Sequence, residues 1–287
     1  RRVLMGNNTE KTAKKPSSKG RREFLRTVTM TAGLVGAAMA GIVPVVKGWV
    51  TRQRPPGALI EEDFLASCIK CGQCVQVCPV EAISLADITD GFGIGVPFID
   101  SRKQACDFSC DGLQCVLACP TGALTHHINY SHESNMAVAK VVRLDNCLAM
   151  TGTGFKGLAR GSKFGGKLRF DDIDRWNPLA LNEHKFDVEV CDLCVRTCPI
   201  EIRIAQCEAG NPPAGNEAQC PPEQAIRMVP TGEKDDGSPM FRPEILAGCV
   251  GCGVCEMICP AEPTVIEMDM DNRGEPIKVH VGKGGQA

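Results

Sequence analysis

The spacing of cysteines constrains this chain more than any other feature. Residues 68–79 read Cys-x2-Cys-x2-Cys-x3-Cys-Pro, and residues 249–260 repeat that spacing and that ending. Thiolates at these intervals let one short loop reach three corners of a [4Fe–4S] cluster, while the fourth cysteine reaches a neighbouring cluster. The two runs therefore predict a fold built around iron–sulfur clusters.

Two further cysteine runs have looser spacing. Residues 106–120 read Cys-x3-Cys-x4-Cys-x3-Cys-Pro, and residues 191–199 read Cys-x2-Cys-x3-Cys-Pro without a first cysteine. Val188 stands where that cysteine is expected and cannot bind iron. The nearest upstream cysteine is Cys147, which we expect to be the displaced first ligand.

Sixteen cysteines thus predict four [4Fe–4S] clusters in two ferredoxin-like pairs, with the last cysteine of each run crossing to the partner cluster. We call the four ligand sets sites 1 to 4. Site 1 comprises Cys68, Cys71, Cys74 and Cys119; site 2 comprises Cys78, Cys106, Cys110 and Cys115; site 3 comprises Cys147, Cys191, Cys194 and Cys259; site 4 comprises Cys198, Cys249, Cys252 and Cys255.

Zinc and disulfides are the alternatives for these cysteines. Cys-x2-Cys pairs also bind zinc, but the recurring Cys-x3-Cys-Pro ending favours iron–sulfur. Residues three apart rarely form a disulfide with each other. The two remaining cysteines, Cys207 and Cys220, bracket a loop rich in Gly, Pro and Asn and could pair in an oxidising compartment. In a rival assignment, which stays open, Cys220 rather than Cys198 is the fourth ligand.

Charge is distributed unevenly along the chain. Residues 1–51 hold ten Lys/Arg and two Asp/Glu, so the remainder has a net charge of -10. Such an acidic body argues against nucleic-acid binding, which uses a basic face. Residues 152–169 are an exception, with five Lys/Arg and no acid. They predict a flexible basic loop, either solvated or docked on a partner or on lipid headgroups.

The N-terminal segment resembles a twin-arginine export signal. Arg21 and Arg22 precede Phe24 and Leu25, and residues 27–46 then carry no charge. Basic residues ahead of an apolar stretch keep the N-terminus cytoplasmic, so we expect the body on the periplasmic side of the inner membrane. Twenty residues are about enough to span a bilayer. Retention of residues 27–46 as a membrane anchor and cleavage of the signal both stay open.

Each cysteine run is followed by similar residues, such as Ala-Ile or Ala-Leu, which indicates an internal repeat. We therefore predict an α+β fold of two tandem bacterial-type ferredoxin-like modules (βαββαβ), rich in loops, with an N-terminal apolar helix. No nucleophile–base pattern stands out, so no catalytic site is predicted. The predicted regions are residues 1–50 as signal or anchor, 51–145 as the first module, and 146–287 as the second, with insertions at 151–187 and 207–220.

Several segments resemble the ferredoxin-type NapG/MauM family. They are Arg-Pro-Pro-Gly-Ala at residues 54–58, residues 64–68, Cys-Gly-Gln-Cys-Val-Gln-Val-Cys-Pro at 71–79, Cys147-Leu148, and Cys-Asp-Leu-Cys-Val-Arg at 191–196. The likeness runs from the signal to about residue 270. The chain departs from the family pattern in the x3 gap after Cys106 and in its two insertions.

The resemblance implies an exported four-cluster electron-transfer subunit. It would take electrons from a polytopic, quinol-oxidising membrane iron–sulfur protein and pass them to a periplasmic cytochrome or reductase, as in a nitrate-reductase-like pathway. The alternative is the iron–sulfur subunit of a molybdopterin oxidoreductase or a hydrogenase-type complex. Such subunits usually travel with a signal-bearing partner, so a signal on this chain argues against that alternative.

Overall fold

The computed structural model describes residues 18–47, 51–91, 93–110, 112–169 and 177–271. Parts of the predicted regions lie outside the described residues: 1–17 and 48–50 of the signal segment, 170–176 of the first insertion, and 272–287 of the second module.

The helices are mostly single turns beside the cysteine runs. Apart from the first and the sixth, each has seven residues or fewer, too short to be stable alone in water. Their stability must therefore come from packing against the rest of the chain. Along the described ranges they are α1 (Ser18–Lys47), α2 (Glu61–Ser67), α3 (Gln73–Gln76), α4 (Gln114–Leu117), α5 (Leu193–Arg196), α6 (Pro199–Glu208) and α7 (Val254–Ile258).

The strands of the described residues form antiparallel pairs. An isolated two-stranded sheet is marginally stable, so each pair depends on its contacts with the rest of the chain. The pairs are β1–β2, β3–β10, β4–β7, β5–β6 and β8–β9. Their ranges are β1 (Ile83–Leu85), β2 (Pro97–Ile99), β3 (Val138–Val141), β4 (Phe155–Leu158), β5 (Lys167–Leu168), β6 (Leu179–Ala180), β7 (Lys185–Val188), β8 (Ile226–Glu233), β9 (Pro239–Ile245) and β10 (Ile266–Asp269).

Two modules with one pairing scheme emerge from these strands. In the first, Ala58 ahead of the first run bridges Leu124 behind the second run. In the second, β3 ahead of Cys147 pairs with β10 behind the last run. A hairpin follows the first run of each module, β1–β2 in one and β8–β9 in the other. The fold is thus a mixed helix and strand arrangement of two ferredoxin-type domains. The pairing of β3 favours a boundary ahead of Val138 rather than at residue 146.

Glycines at the cysteine turns allow the backbone geometry and a close approach between modules. Gly72 and Gly253 precede α3 and α7 with φ of 73° and 88°, a conformation that costs glycine little. A Cβ on Gly253 would lie 2.0 Å from the Ser101 hydroxyl oxygen, and one on Gly251 would lie 2.0 Å from the Ala137 carbonyl oxygen. Larger residues there would push the last run away from the first module.

Arg102 of the first module joins the two modules through backbone carbonyls. Its Nη1 donates to the carbonyl oxygens of Glu256 at 2.5 Å and Cys259 at 3.0 Å, and its Nη2 donates to that of Ala261 at 3.0 Å. These carbonyls belong to the end of the last cysteine run. Hydrogen bonds from a charged donor are the stronger kind, so this side chain fixes the run against the first module.

The basic insertion is held against both modules, which differs from the flexible loop expected from sequence. Arg160 donates through Nη1 to the Met257 carbonyl oxygen at 3.1 Å, and its guanidinium lies 4.6 Å from the ring centre of Phe164. The Lys167 amide donates to the Gln104 side chain at 2.7 Å. The prediction of a solvated loop is wrong for these residues. Their partners are backbone and amide groups far away in sequence, which composition does not reveal.

Helix α1 occupies the predicted signal segment. The hydroxyls of Thr27 and Thr31 donate to carbonyl oxygens one turn earlier, and the side chains from residue 20 to 38 are exposed. Among the described residues, we find no helix whose length and apolarity would let it cross a membrane. The predicted apolar membrane anchor at residues 27–46 is therefore not confirmed.

Candidate iron–sulfur centres

The cysteines of sites 3 and 4 line two small cavities. Site 3 surrounds a cavity of about 30 Å³ whose other walls are apolar, among them Leu148, Leu193 and Val265. Site 4 surrounds one of about 20 Å³, walled by residues such as Ile200, Val254 and Met268. Each cavity is lined by the four cysteines assigned to it from the sequence.

Electrostatic coupling groups the cysteines of the first module. Burial raises the pKa of the Cys74 thiol to about 11, and the other cysteines of site 1 raise it further, each as a nearby negative group. Burial likewise raises the pKa of Cys106 well above its ordinary value, with added contributions from the other three members of site 2. The fourth cysteine of each run in the first module thus lies near the partner set.

The same electrostatic coupling between thiols shows which sites Cys147 and Cys198 adjoin. Burial raises the pKa of Cys194 well above its ordinary value, and Cys191, Cys147 and Cys259 raise it further. The displaced Cys147 therefore stands with site 3. For Cys252 of site 4, burial is again the largest cause, followed by Cys198. Cys198, not Cys220, is the cysteine beside site 4.

Backbone amides after the first two runs donate to the crossing sulfurs. The Ala82 amide lies 3.3 Å from Cys78 Sγ, and the Leu124 amide lies 3.4 Å from Cys119 Sγ. These amides belong to the repeated Ala-Ile and Ala-Leu segments, which explains the repeat physically. Donors to a thiolate favour its charged form. Although burial acts against it, the pKa of Cys119 is lowered by such amide donors, chiefly Leu124.

In the third run a carboxylate takes over this anchoring. The amides of Ala225 and Ile226 donate to Glu201 Oε1 at 2.6 and 3.1 Å, instead of to a cysteine sulfur. Glu201 lies in the first turn of α6, the helix that begins at the residue after Cys198. It fixes the start of β8 although the insertion at 207–220 separates the two segments. Cys207 and Cys220 close this insertion through a disulfide, with their Cα atoms 6.0 Å apart.

These residues fit a [4Fe–4S] cluster at each site. Four thiolates are the donors that such a cluster requires, and at sites 3 and 4 apolar walls keep water from the sulfurs. In the part of the chain that the structure describes, no three His, Cys, Asp or Glu side chains converge on a position for one metal ion. The cysteines of sites 3 and 4 instead stand around a cavity, an arrangement that suits a cluster of several irons.

Sites 2 and 4 adjoin at a buried junction between the modules. The Cys106 amide donates to the Cys252 carbonyl oxygen at 3.3 Å. Asp107 lies next to this bond and contributes to the electrostatic surroundings of both Cys110 and Cys252. Its carboxylate accepts from the amides of Ser109 at 3.0 Å and Arg169 at 2.9 Å, while burial raises its pKa.

Sequence reasoning missed the residues that support the cysteines, chiefly Asp107, Glu201 and Arg102. The Ala-Ile repeat was the one signal that pointed toward such support, because it marks the donating amides. His126 and His127, which adjoin the second run, are exposed.

Two ferredoxin-type modules, whose sixteen cysteines form sites 1 to 4, define an iron–sulfur electron-transfer protein of the ferredoxin type. Two family models match the chain: a 4Fe-4S dicluster domain over residues 67–123 and a 4Fe-4S binding domain over residues 246–265. The first covers the two cysteine runs of the first module, and the second covers the last run.

Curated relatives cover most of the chain. The ferredoxin-type protein NapG of Escherichia coli is 31% identical over 253 residues, which are 87% of this chain and 85% of the relative. The methylamine utilization ferredoxin-type proteins MauM of Methylorubrum extorquens and Paracoccus denitrificans are 31% and 32% identical, over 85% and 84% of this chain and 86% and 85% of theirs. The chain belongs to the NapG/MauM family of ferredoxin-type proteins. No solved structure matches it.

Proposed function

We propose that the chain relays single electrons through four [4Fe–4S] clusters, from a quinol-oxidising membrane iron–sulfur protein to a periplasmic cytochrome or reductase. The observation that carries this proposal is the grouping of sixteen cysteines into four sets, two of which line a cavity each. When bound, a [4Fe–4S] cluster accepts and donates electrons. The chain holds the clusters, excludes water and supplies amide donors to the sulfurs.

The positions of the sites support an order of 1–2–4–3 along the relay. Crossing cysteines tie site 1 to site 2 and site 3 to site 4. The hydrogen bond between Cys106 and Cys252 ties site 2 to site 4. Sites 1 and 3 are then the ends at which partners exchange electrons.

Export by the twin-arginine route is the second part of the proposal. It is supported by Arg21 and Arg22 ahead of the uncharged residues 27–46. Replacing both arginines by lysine keeps the charge and should leave the chain in the cytoplasm. Fractionation of cells followed by immunoblotting measures this. Periplasmic accumulation of the double variant at the wild-type level would contradict the export route.

An EPR-monitored redox titration of the purified chain, with iron counted on the same sample, tests the relay. About sixteen iron atoms per chain, with several centres titrating near or above the potential of a quinone, would support it. Far fewer irons, or centres reducible only at strongly negative potentials, would contradict a quinol donor. Strongly negative potentials would favour the hydrogenase-type alternative.

A further inference from the structure

Site 1 is the most accessible of the four sites. Of the sixteen reduced cysteines, all of which lie in described residues, Cys71 alone is exposed. Cys147 and Cys259, at the other end of the proposed order, are both buried. Because electron tunnelling slows steeply with distance, a partner gains most by docking where a ligand reaches the surface.

Exposed apolar side chains concentrate around this site. Outside α1, seven large apolar side chains are exposed in the described residues. Six of them lie in the first module, and the seventh, Val142, lies on the side of the second module. Contiguous exposed apolar surface marks interaction sites in soluble proteins. The six are Ile60, Ile69, Leu85, Ile88, Ile94 and Leu117.

Contacts connect several of these side chains to Cys71. Ile69 is 64% exposed and lies in the loop between Cys68 and Cys71. Leu85 Cδ1 lies 3.9 Å from the position that a Cβ on Gly72, the residue after Cys71, would occupy. Leu117 is 63% exposed and lies two residues before Cys119, the crossing cysteine of site 1.

Ile94 joins the same surface through its neighbour. The aliphatic stem of Lys70 comes within 3.3 Å of the Cβ position of Gly95, which places the loop after β1 beside the loop that holds Cys71. We call the surface formed by Ile69, Leu85, Ile94 and Leu117 around Cys71 the Cys71 face.

The border of the Cys71 face is acidic. Asp87 and Asp90 are exposed on either side of Ile88. The Asp90 carboxylate accepts from the Asp87 amide at 2.7 Å, and the Asp87 carboxylate accepts from the Ile88 amide at 2.6 Å. Glu62 and Asp63 on α2 are exposed as well. Lys70, the residue before Cys71, is the exposed cation of this surface. An apolar centre with a mainly acidic border complements a partner that has an apolar centre and a mainly basic border.

The position of α1 distinguishes the two ends of the proposed relay. This helix lies against the 3₁₀ turn of Ile88–Asp90, at the edge of the Cys71 face. The basic export segment therefore leaves the body on the side where site 1 reaches the surface. A partner in the membrane from which the chain is delivered would meet this side first.

We infer that the Cys71 face is the docking surface for the membrane electron donor, so that electrons enter at site 1; this inference rests on the function proposed above. The donor is a membrane protein with a haem or iron–sulfur centre near a surface that is apolar at its middle and basic at its border. One electron passes from the reduced donor centre to the cluster at site 1. The donor centre is thereby oxidised, and the cluster is reduced, by one electron. No proton moves and no bond forms or breaks.

The test uses the purified full chain, membrane vesicles from its own organism and duroquinol as the reductant. We compare wild type with a double variant, Ile69→Gln with Leu117→Gln, and with Val142→Gln as the matched control on an exposed apolar residue away from the face. The chain concentration at which the rate of cluster reduction is half-maximal should be about tenfold higher for the double variant than for wild type. Its maximal rate, iron content and EPR spectrum should stay unchanged, and the control should behave as wild type.

A second readout reports docking itself. A photo-reactive benzophenone side chain at position 69 should cross-link to an integral membrane protein that contains haem or iron–sulfur, and one at position 142 should not. If the double variant loses iron, Ile94→Gln replaces it, because Ile94 belongs to the Cys71 face but lies outside the cysteine runs.

The outcomes separate this inference from the proposed function. If quinol fails to reduce even the wild-type chain, the proposed function fails. If quinol reduces wild type and face variants alike, the function stands and the Cys71 face is excluded as the entry surface. Cross-links from position 69 only to water-soluble proteins, or from position 142 to the membrane protein, would also overturn the inference.

Discussion

Arg54 is a buried cation near site 1 with several side-chain contacts. Its Nε donates to the Glu61 carboxylate on α2 at 3.0 Å, and its Nη1 donates to the Pro97 carbonyl oxygen in β2 at 2.8 Å. The guanidinium lies 5.1 Å from the ring centre of Phe64. The Arg54 side chain is 1% exposed. It joins the segment ahead of the first run to α2 and β2.

Replacing Arg54 with methionine keeps the aliphatic stem and removes the charge. Removing one partner of a fully buried ion pair costs about 3–5 kcal/mol, because the other charge stays buried without compensation. The Glu61 side chain is 23% exposed, so water stabilises part of its charge and the cost lies near the lower end of that range. Loss of the contact with Phe64 overlaps with this cost rather than adding fully to it. We therefore expect the free energy of unfolding to fall by about 3 kcal/mol, a large part of a typical domain's stability.

Arg227 provides a matched control. It pairs with Glu244 across the β8–β9 hairpin at 2.6 Å, but the two side chains are 55% and 33% exposed. An exposed pair contributes about 0–1 kcal/mol, so Arg227→Met should lower the stability by no more than that. The two variants share the chemistry of the change and differ in burial.

Anaerobic urea unfolding, followed by far-ultraviolet circular dichroism and by the visible absorption of the clusters, measures both variants. Equal, small losses for Arg54→Met and Arg227→Met would refute the argument from burial. A loss in Arg54→Met that disappears in 1 M salt would refute it too, because salt screens buried pairs much less than exposed ones.

The remaining predictions concern the ligands and their supports. Cys147→Ser should lower the iron content from about sixteen to about twelve atoms per chain, and an unchanged count would show that Cys147 is not a ligand. Cys207→Ser should keep the iron but lower the free energy of unfolding by about 3 kcal/mol, the chain-entropy value for a loop of this length, when oxidised wild type is the reference. Glu201→Ala should lower it by about 2–4 kcal/mol by leaving two buried amides without an acceptor, whereas Glu201→Gln, which keeps a carbonyl oxygen, should lose less than half as much. Burial raises the pKa of Glu256 to about 6, so its carboxyl binds a proton more tightly in the folded state, and stability should fall as pH rises from about 4.5 to about 6. Glu256→Gln should therefore be more stable than wild type by about 1 kcal/mol at pH 7, and this advantage should vanish near pH 4.5 in matched denaturation curves.

The grouping of the cysteines could be predicted because it depends on short-range spacing. A run that ends in Cys-x3-Cys-Pro places its last sulfur beyond the reach of its own cluster, which defines the crossing ligands. Cys147 was harder to assign, because forty-three residues separate it from Cys191, and elimination was the available argument. The structure brings it to site 3 through the loop that precedes β4.

The supporting residues could not be predicted because their contacts are long-range. Glu201 meets its amides 24 and 25 residues away, and Arg102 meets carbonyls more than 150 residues away. Neither side chain differs in type from the many solvated acids and bases of the chain. The Ala82 and Leu124 donors are backbone amides, so residue type does not reveal them. The repeated sequence around them does mark their positions.

The order of the sites follows from packing between modules rather than from the order of the runs. Crossing ligands define the pairs 1–2 and 3–4, but they leave open which members of the two pairs meet. The packing of Gly253 against Ser101 and of Gly251 against Ala137 determines which sites adjoin. Any Cβ at these two glycines would collide with the first module. The close approach brings Cys252 within a hydrogen bond of Cys106. The two glycines therefore control the gap between sites 2 and 4, and with it the transfer between the two modules that a 1–2–4–3 relay would contain.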